Sequence, residues 1–318
     1  MSELSGVVVI DKPSGPTSFD VVRRVKGLFK TKRCGHTGTL DPTATGILPI
    51  CVGDATKIAS YVSDSDKEYD AVVRFGETTD TQDAAGKTLE TRPLGDLTEA
   101  RVREELKAFV GLVDQTPPMY SARKIDGKRL YELARAGEEV EREARQVHIE
   151  EARMTSFAPP DVGIFVRCSK GTYLRTLAHD LGQRIGCGAH LRQLKRVRVG
   201  PFGLEDSVGL ETLMAAAREG RPQLEKYLLP LSRALAGLAE LKLDTQLARR
   251  VAHGHAPGPA DLSRLRAPPF PRGRKVRLLD PEGRVLAIGE SDGVGMLKLL
   301  RVLVAGSHDL VGRSSEDE

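Results

Sequence analysis

No stretch of this chain is apolar for the roughly 20 residues a helix needs to cross a bilayer. Met1–Gly6 shows no signal-peptide pattern, so neither a membrane span nor secretion is expected. Cysteine is sparse: Cys34, Cys51, Cys168 and Cys187 are scattered through 318 residues with no C-x-x-C pair. That argues against a disulfide framework or a zinc knuckle and fits a reducing cytoplasm. Cys34 and His36 are at most half of a metal site, because two more ligands at a recognisable spacing are missing, so no metal is expected. No G-x-G-x-x-G or Walker signature occurs, so no nucleotide cofactor is indicated, and there is no internal repeat. Neither sign of charge dominates. Lys and Arg number 48 against 44 Asp and Glu, a net charge of +4, which permits a polyanionic partner without requiring one.

What is present is a glycine- and threonine-rich stretch, Gly35–Gly46 (GHTGTLDPTATG), around one carboxylate, Asp41. It has no amphipathic period and reads as a loop. Glycine admits backbone angles closed to other residues and lets a ligand approach the main chain. Pro42 biases Asp41 toward an extended conformation. On composition alone, a solvated turn with Asp41 capping its own backbone is the better reading, so the flanking segments must decide.

Gly6–Asp11 (GVVVID) predicts a buried strand, broken by Lys12-Pro13-Ser14-Gly15-Pro16. Thr17 or Ser18 then caps a helix with Val21, Val22, Val25, Leu28 and Phe29 inward. Arg23, Arg24, Lys26, Lys30, Lys32 and Arg33 lie on its other face and beyond, either an ordinary solvated face or a polyanion contact, the second favoured because no acid follows Asp20. Ile47–Val52 predicts a strand, Thr56–Tyr61 a short helix, and Lys67–Phe75 an alternating strand with Tyr69, Ala71, Val73 and Phe75 on one face. Gly76–Gly86 reads as a polar, turn-rich loop and Thr98–Val110 as a helix stopped at Gly111. Gln115–Gly137 interleaves Arg123, Lys124, Lys128 and Arg129 with Tyr120 and Tyr131, which suits a nucleic-acid clamp and equally an ordinary surface hairpin. Ile164–Cys168 predicts a strand and Thr172–Ile185 an amphipathic helix ended by Gly186. Arg175 stands in the first turn of that helix, at the end where the macrodipole favours an acid, which points to a specific anionic partner. Gly188–Gly200 alternates, with Leu191, Leu194, Val197 and Val199 apolar and Arg192, Lys195, Arg196 and Arg198 among the rest. Helices over Ser207–Ala217 and Pro222–Ala236 follow. From Leu238 the texture turns β-rich: a capped helix at Asp244–His253, a Pro/Gly/Arg-rich segment at Ala256–Gly273, a hairpin over Val276–Ile288 turning at Asp280–Gly283, and a last strand at Lys298–Ala305. Ser314–Glu318 is a polar tail.

Five motifs occur in one order: Lys12-Pro13-x-Gly-x-Thr-Ser, the Gly35–Gly46 stretch, Lys-x-Tyr at 67–69, Cys-Ser-Lys-Gly-Thr-Tyr-x-Arg at 168–175, and Gly-Ala-His-Leu at 188–191. Together they resemble the tRNA pseudouridine synthase B (TruB) family over about Gly6–Gly200. The resemblance implies an α+β fold: a catalytic domain, 1–237, with a mixed, largely antiparallel sheet flanked by helices and an RNA-binding insertion at about 115–147. A small β-rich, PUA-like RNA-binding domain, 238–318, would follow. It implies isomerisation of uridine 55 to pseudouridine in the T-loop of tRNA, without cofactor or metal. Motif by motif, it makes Asp41 the catalytic carboxylate, with Arg175 its partner and Tyr69 stacked on the target base. Tyr173 and Leu194 would line the pocket, His36 would help hold the T-loop with the base extruded, and Lys12 and Pro13 would support the loop. An Arg within reach of the carboxylate is expected to lower its pKa and hold it ionised. The family also implies a cytoplasmic monomer that binds the T-arm and elbow of tRNA without an obligate protein partner, with assistance to tRNA folding as a further expectation. The alternatives are a guide-RNA-dependent relative sharing the motif and a non-catalytic tRNA-binding or folding protein. The residues alone admit attack of Asp41 on the base, attack on the sugar, or proton removal from the sugar.

Overall fold

The computed structural model describes residues 4–118, 124–125, 128–129, 140 and 142–303, with 124–125 and 128–129 described as backbone only. The apolar, β-branched run at the start forms strand β1 (Gly6–Lys12), buried at all but one position. Helix α1 (Ser18–Leu28) follows. Its N-cap is Thr17, whose side chain accepts from the Asp20 amide while Asp20 reaches back to Thr17, a reciprocal capping box. Its apolar stripe, Val21, Val22 and Val25, is buried as the spacing predicts.

The glycine-rich stretch is less of a loop than its composition implies. Its first residues belong to strand β2 (Cys34–His36) and its last two open strand β3 (Thr45–Val52). The two strands pair antiparallel, so the stretch is held at both ends and Gly38–Ala44 arches between them. A 3-10 turn (Gly53–Ile58) and helix α2 (Ala59–Ser63) stand where one short helix was expected. Strand β4 (Lys67–Phe75) has the predicted bounds and buries Tyr69, Ala71, Val73 and Phe75. The Gly76–Gly86 loop contains a short strand, β5 (Glu77–Thr79), paired with β6 (Thr88–Thr91). Helix α3 (Glu99–Lys107) stops well short of Gly111, which instead opens strand β7 (Gly111–Gln115) with a φ of +106°.

Lys124–Ile125 and Lys128–Arg129 form a small antiparallel ribbon, β8 and β9. Tyr120, Arg123 and Tyr131, and most of the expected 115–147 insertion, lie outside the described residues. Strands β10 (Arg145–Ala158) and β11 (Asp161–Cys168) lead into helix α4 (Leu174–Ile185), capped by left-handed Gly186. Strand β12 (Ala189–Val199) is next. Short β13 (Phe202–Gly203) and β14 (Ser207–Gly209) precede helix α5 (Leu210–Glu219). The single helix expected at Pro222–Ala236 is two short ones, α6 (Arg221–Glu225) and α7 (Leu231–Ala234).

The main sheet has ten strands, with β14, β1, β3, β12, β4, β11, β10 and β7 in that order and β13 and β2 attached to β12 and β3. It is mixed: β1 with β14 and β3 with β12 run parallel, the other pairs antiparallel. A second, four-stranded sheet begins at β15 (Ala239–Lys242) and continues through β16 (Lys275–Leu279), β17 (Val285–Ser291) and β18 (Leu297–Val302). Helix α8 (Thr245–Ala252), capped by Asp244, packs Leu247, Ala248 and Val251 into that sheet's own core. A short helix α9 (Pro259–Arg264) sits in the proline-rich segment. Part of the second sheet is also buried against the first. Leu279, Val285, Ile288 and Leu303 share one cluster with Val7, Val9, Ile47, Val199 and Phe202. No helix among the described residues is long and apolar enough to cross a membrane.

Candidate active site

The carboxylate of Asp41 is placed by the arch between β2 and β3, and the arch is fixed from three sides. From β1, the buried ammonium of Lys12 donates to the carbonyls of Pro13 (2.9 Å), Pro42 (3.0 Å) and Ala44 (2.7 Å). Lys12 thus lies beneath the loop, whereas Pro13 is exposed and contributes only its carbonyl. From α1, the buried Ser18 hydroxyl both accepts from the Leu40 amide (2.8 Å) and donates to the Leu40 carbonyl (2.9 Å). From β12, Arg196 donates from Nε to the Ile47 carbonyl (2.8 Å), from Nη2 to the Gly38 carbonyl (3.0 Å) and from Nη1 to the Thr39 carbonyl (3.4 Å). Gly46 permits this approach. It has a φ of +92°, and a Cβ there would lie 2.2 Å from the Arg196 carbonyl oxygen.

The sequence places Arg196 among the non-apolar members of an alternating stretch, with nothing to mark it as buried. It is instead 1% exposed, because β12 does not alternate throughout. A register shift between Leu191 and Gln193 turns Leu194 and Arg196 to the inner face, opposite Ala71 and Tyr69, and a second between Arg196 and Arg198 restores Val199 to the core. A guanidinium this deep needs acceptors for its donors, and the three loop carbonyls supply them. Burial lowers the pKa of nearby Lys12, Lys67 and His36, and the Arg196 charge lowers it further.

Arg175 reaches the carboxylate from the first turn of α4. Its Nε lies 3.1 Å from Asp41 Oδ2, its side chain is 6% exposed, and Nη1 donates to the Thr81 carbonyl (3.3 Å). A second acid shares this cation: Asp83 Oδ2 is 3.8 Å from Arg175 Nη1. The other oxygen of Asp83 accepts from the Thr81 hydroxyl (2.6 Å) and the Ala85 amide (3.0 Å). Nothing in the polar Gly76–Gly86 segment distinguished Asp83 from the other turn-forming acids Asp80 and Glu77; its position beside β12 is tertiary. The stitching is visible in the Ala84 amide donating to the Leu191 carbonyl and the Leu191 amide to the Gln82 carbonyl.

This arrangement corrects one electrostatic expectation. The Asp41 carboxyl is raised above the ordinary carboxylate range, not lowered. Burial pushes it up, Arg175 pulls it down, Asp83 pushes up again, and Lys12 pulls down. Arg175 therefore partly offsets a desolvation cost rather than producing a net depression.

Asp41, Tyr69, Tyr173, Arg175, Leu194 and Arg196 all line one cleft of about 280 Å³, with the Ser169–Thr172 turn and Lys67 on its far wall. Tyr69 projects from β4 into it, buried; burial raises its phenol pKa while Arg196 lowers it. Tyr173 is the N-cap of α4, without a side-chain cap bond. Its backbone is gripped instead by the buried amide of Gln115, which accepts from the Tyr173 N–H (3.0 Å) and donates to its carbonyl (3.4 Å). His36 does not line this cleft. It sits half-buried in β2 with Nδ1 accepting from the Gly38 amide (3.3 Å), so it orders the near end of the arch.

Two family profiles cover adjoining parts of the chain: "TruB family pseudouridylate synthase (N terminal domain)" over residues 26–174 and "tRNA pseudouridylate synthase B C-terminal domain" over 175–236. Fold and site thus define a pseudouridine synthase. The chain is 46% identical over 305 residues to the tRNA pseudouridine synthase B of Burkholderia mallei (strain NCTC 10247), covering 96% of this chain and 98% of that protein. It is 44% identical over 303 residues to the enzyme of the same name from Pseudomonas aeruginosa (strain UCBPP-PA14), covering 94% of this chain and 96% of that protein. It belongs to the tRNA pseudouridine synthase B family. Among solved structures, a Cbf5-Nop10-Gar1 complex superposes with a TM-score of 0.74 at 24% identity, over 94% of this chain and 85% of that one. An H/ACA RNP bound to a substrate RNA containing 2'-deoxyuridine gives 0.73 at 22%, over 96% and 87%. These two show a shared fold.

Proposed function

We infer that this member of the family converts uridine to pseudouridine in tRNA, and we propose that its target is uridine 55 of the T-loop, with Asp41 as the catalytic carboxylate. The observation that carries the site assignment is the pairing of Asp41 with the buried Arg175 at 3.1 Å on the wall of a cleft that also holds Tyr69, Tyr173 and Leu194. The position in tRNA is supported by family membership and by the five ordered motifs.

The isomerisation breaks the N1–C1′ bond, turns the uracil, and forms a C5–C1′ bond. C5 loses a proton and N1 gains one, so atoms balance without a redox agent. Asp41 must be ionised to act as nucleophile or base, and Arg175 offsets the cost of holding that charge in a partly desolvated cleft. Tyr69 supplies a ring face for the uracil and a hydroxyl for the proton at C5. Leu194 and the Tyr173 ring keep water from the separated base and sugar. A uridine inside a folded loop must first be flipped out, at roughly a few kcal/mol. Basic residues offset that cost: the Arg23, Arg24 and Lys26 face of α1 and, in the sequence, the lysines and arginines of the 115–147 segment. His36 helps hold the T-loop at the near end of the arch, with Lys12 and Pro13 in support. The second sheet, from Leu238 onward, serves as a PUA-like RNA-binding domain against the tRNA elbow. The protein acts in the cytoplasm as a monomer, on tRNA alone.

Purified protein incubated with bare tRNA transcript should give pseudouridine at position 55 and nowhere else when the product is mapped. Asp41→Asn should abolish tritium release from C5-labelled uridine while tRNA affinity stays within an order of magnitude of wild type. Retained turnover in that variant would sink the assignment, and a requirement for a guide RNA would favour the guide-dependent reading.

A further inference from the structure

The mechanism gives the buried Arg196 no part beyond holding the arch. Arg196 is 1% exposed and faces the reaction cleft, yet it touches neither carboxylate of the Asp41–Arg175–Asp83 group in any recorded bond. A buried guanidinium is costly, and the same volume filled by an apolar chain would satisfy the core. Its contacts say what it is placed to do. Three donors go to Gly38, Thr39 and Ile47, the arch bearing Asp41 and the start of β3. The guanidinium and the Tyr69 side chain also line the same cleft; burial raises the phenol pKa and the Arg196 charge pulls it back. Tyr69 and Arg196 are direct partners across β4 and β12. The register shift in β12 between Leu191 and Gln193 is what turns this residue inward.

We propose that Arg196 is a positioning residue that joins the Tyr69 phenol to the Asp41 arch, so that the aromatic ring covering the target base and the loop carrying the acid are registered by one planar fork. The proposal rests on the reading of Tyr69 and Asp41 given above. Guanidinium geometry matters here, because a single ammonium cannot reach two sides of the arch and the phenol at once.

The test is a double-mutant cycle on tRNA turnover. Arg196→Lys keeps the charge and loses the fork. It should leave KM for tRNA within about threefold and lower kcat by about 10- to 100-fold, with the fold intact by circular dichroism. Because Arg196 acts through Tyr69, the same change in a Tyr69→Phe background should cost much less than in wild type. Equal losses in the two backgrounds, or an unchanged kcat, would overturn the proposal. Should Arg196→Lys fail to fold, Tyr69→Phe alone decides. The ¹⁵N resonances of the Arg196 guanidinium should move in that variant, and unmoved resonances would overturn the proposal whatever the enzyme's activity on tRNA.

Discussion

Asp41 gains its chemistry from being neither fully buried nor free. Its side chain is 37% exposed toward the cleft, while Arg175 behind it is almost wholly enclosed. Burial and the neighbouring Asp83 raise the carboxyl's pKa, and only the ionised form performs the proposed step. Activity should therefore rise with pH through this elevated pKa, so that the acid limb of kcat/KM lies above the pH at which an ordinary Asp ionises. Asp83→Asn removes one charge that raises it and should shift that limb to lower pH, measured as single-turnover rate against pH with the same tRNA. A limb that stays in place would show that Asp83 is not coupled to Asp41. At this scale the sequence was informative about identity and poor about depth. The ordered motifs singled out Asp41, which the loop's composition alone left as a solvated turn, and Arg175 stood out because a cation at a helix N-terminus opposes the dipole. Arg196 and Asp83 gave no such signal, since each sits in a run of like residues and its burial follows from pairing with distant strands.

The elements around the cleft each fix one backbone segment rather than one side chain. Strand β1 presents Lys12, helix α1 presents Ser18, and strand β7 presents Gln115 where the chain leaves for the 115–147 segment. Gln115 ties that departure point to Tyr173 through two hydrogen bonds, so the base of the segment and the cap of α4 move together. Gln115→Ala would leave the part-buried Tyr173 N–H without its partner, while the Tyr173 carbonyl keeps the Leu177 amide, a cost of about 1–3 kcal/mol. The expected result is a melting temperature lower by several degrees and a several-fold loss in kcat/KM. A full-strength enzyme with an unchanged melting curve would mean that the contact is not needed. Element bounds were legible where the periodicity was strong, as in β4 and α1. They failed where tertiary pairing overrode composition, as at Gly35–His36, which became a strand because Cys51 and Ile50 lie opposite, and in β12, whose bulges no alternation pattern records.

Across the whole molecule, the two sheets are joined by a common core. Ile288 of the second sheet lies in the same cluster as Val7, Ile47 and Val199 of the first, and both sheets add polar ties, Lys57 to the Leu303 carbonyl and Arg277 to the Ser232 carbonyl. Ile288→Ala should cost about 2–5 kcal/mol, and it should lower the stability of both sheets together, in one calorimetric transition. Two separated transitions would show that the sheets unfold independently. Binding of tRNA belongs to this scale as well, because the proposed contacts draw on basic residues spread along the sequence. Affinity should fall linearly with the logarithm of salt concentration, and a flat response would remove the basic surfaces from the account.

The residues alone determined the kind of protein this is. Five short motifs in order, a lone acid among glycines, a misplaced arginine, and periodicities that bury β1, β4 and α1 are local properties, and local properties survive in a string of letters. Only the folded chain decided how the acid is tuned and held. The register of β12, the depth of Arg196, the second acid on Arg175 and the core common to both sheets all depend on residues far apart in the sequence meeting in space. Desolvation, which raises the Asp41 pKa against the pull of its arginine, exists only once that packing has excluded the water.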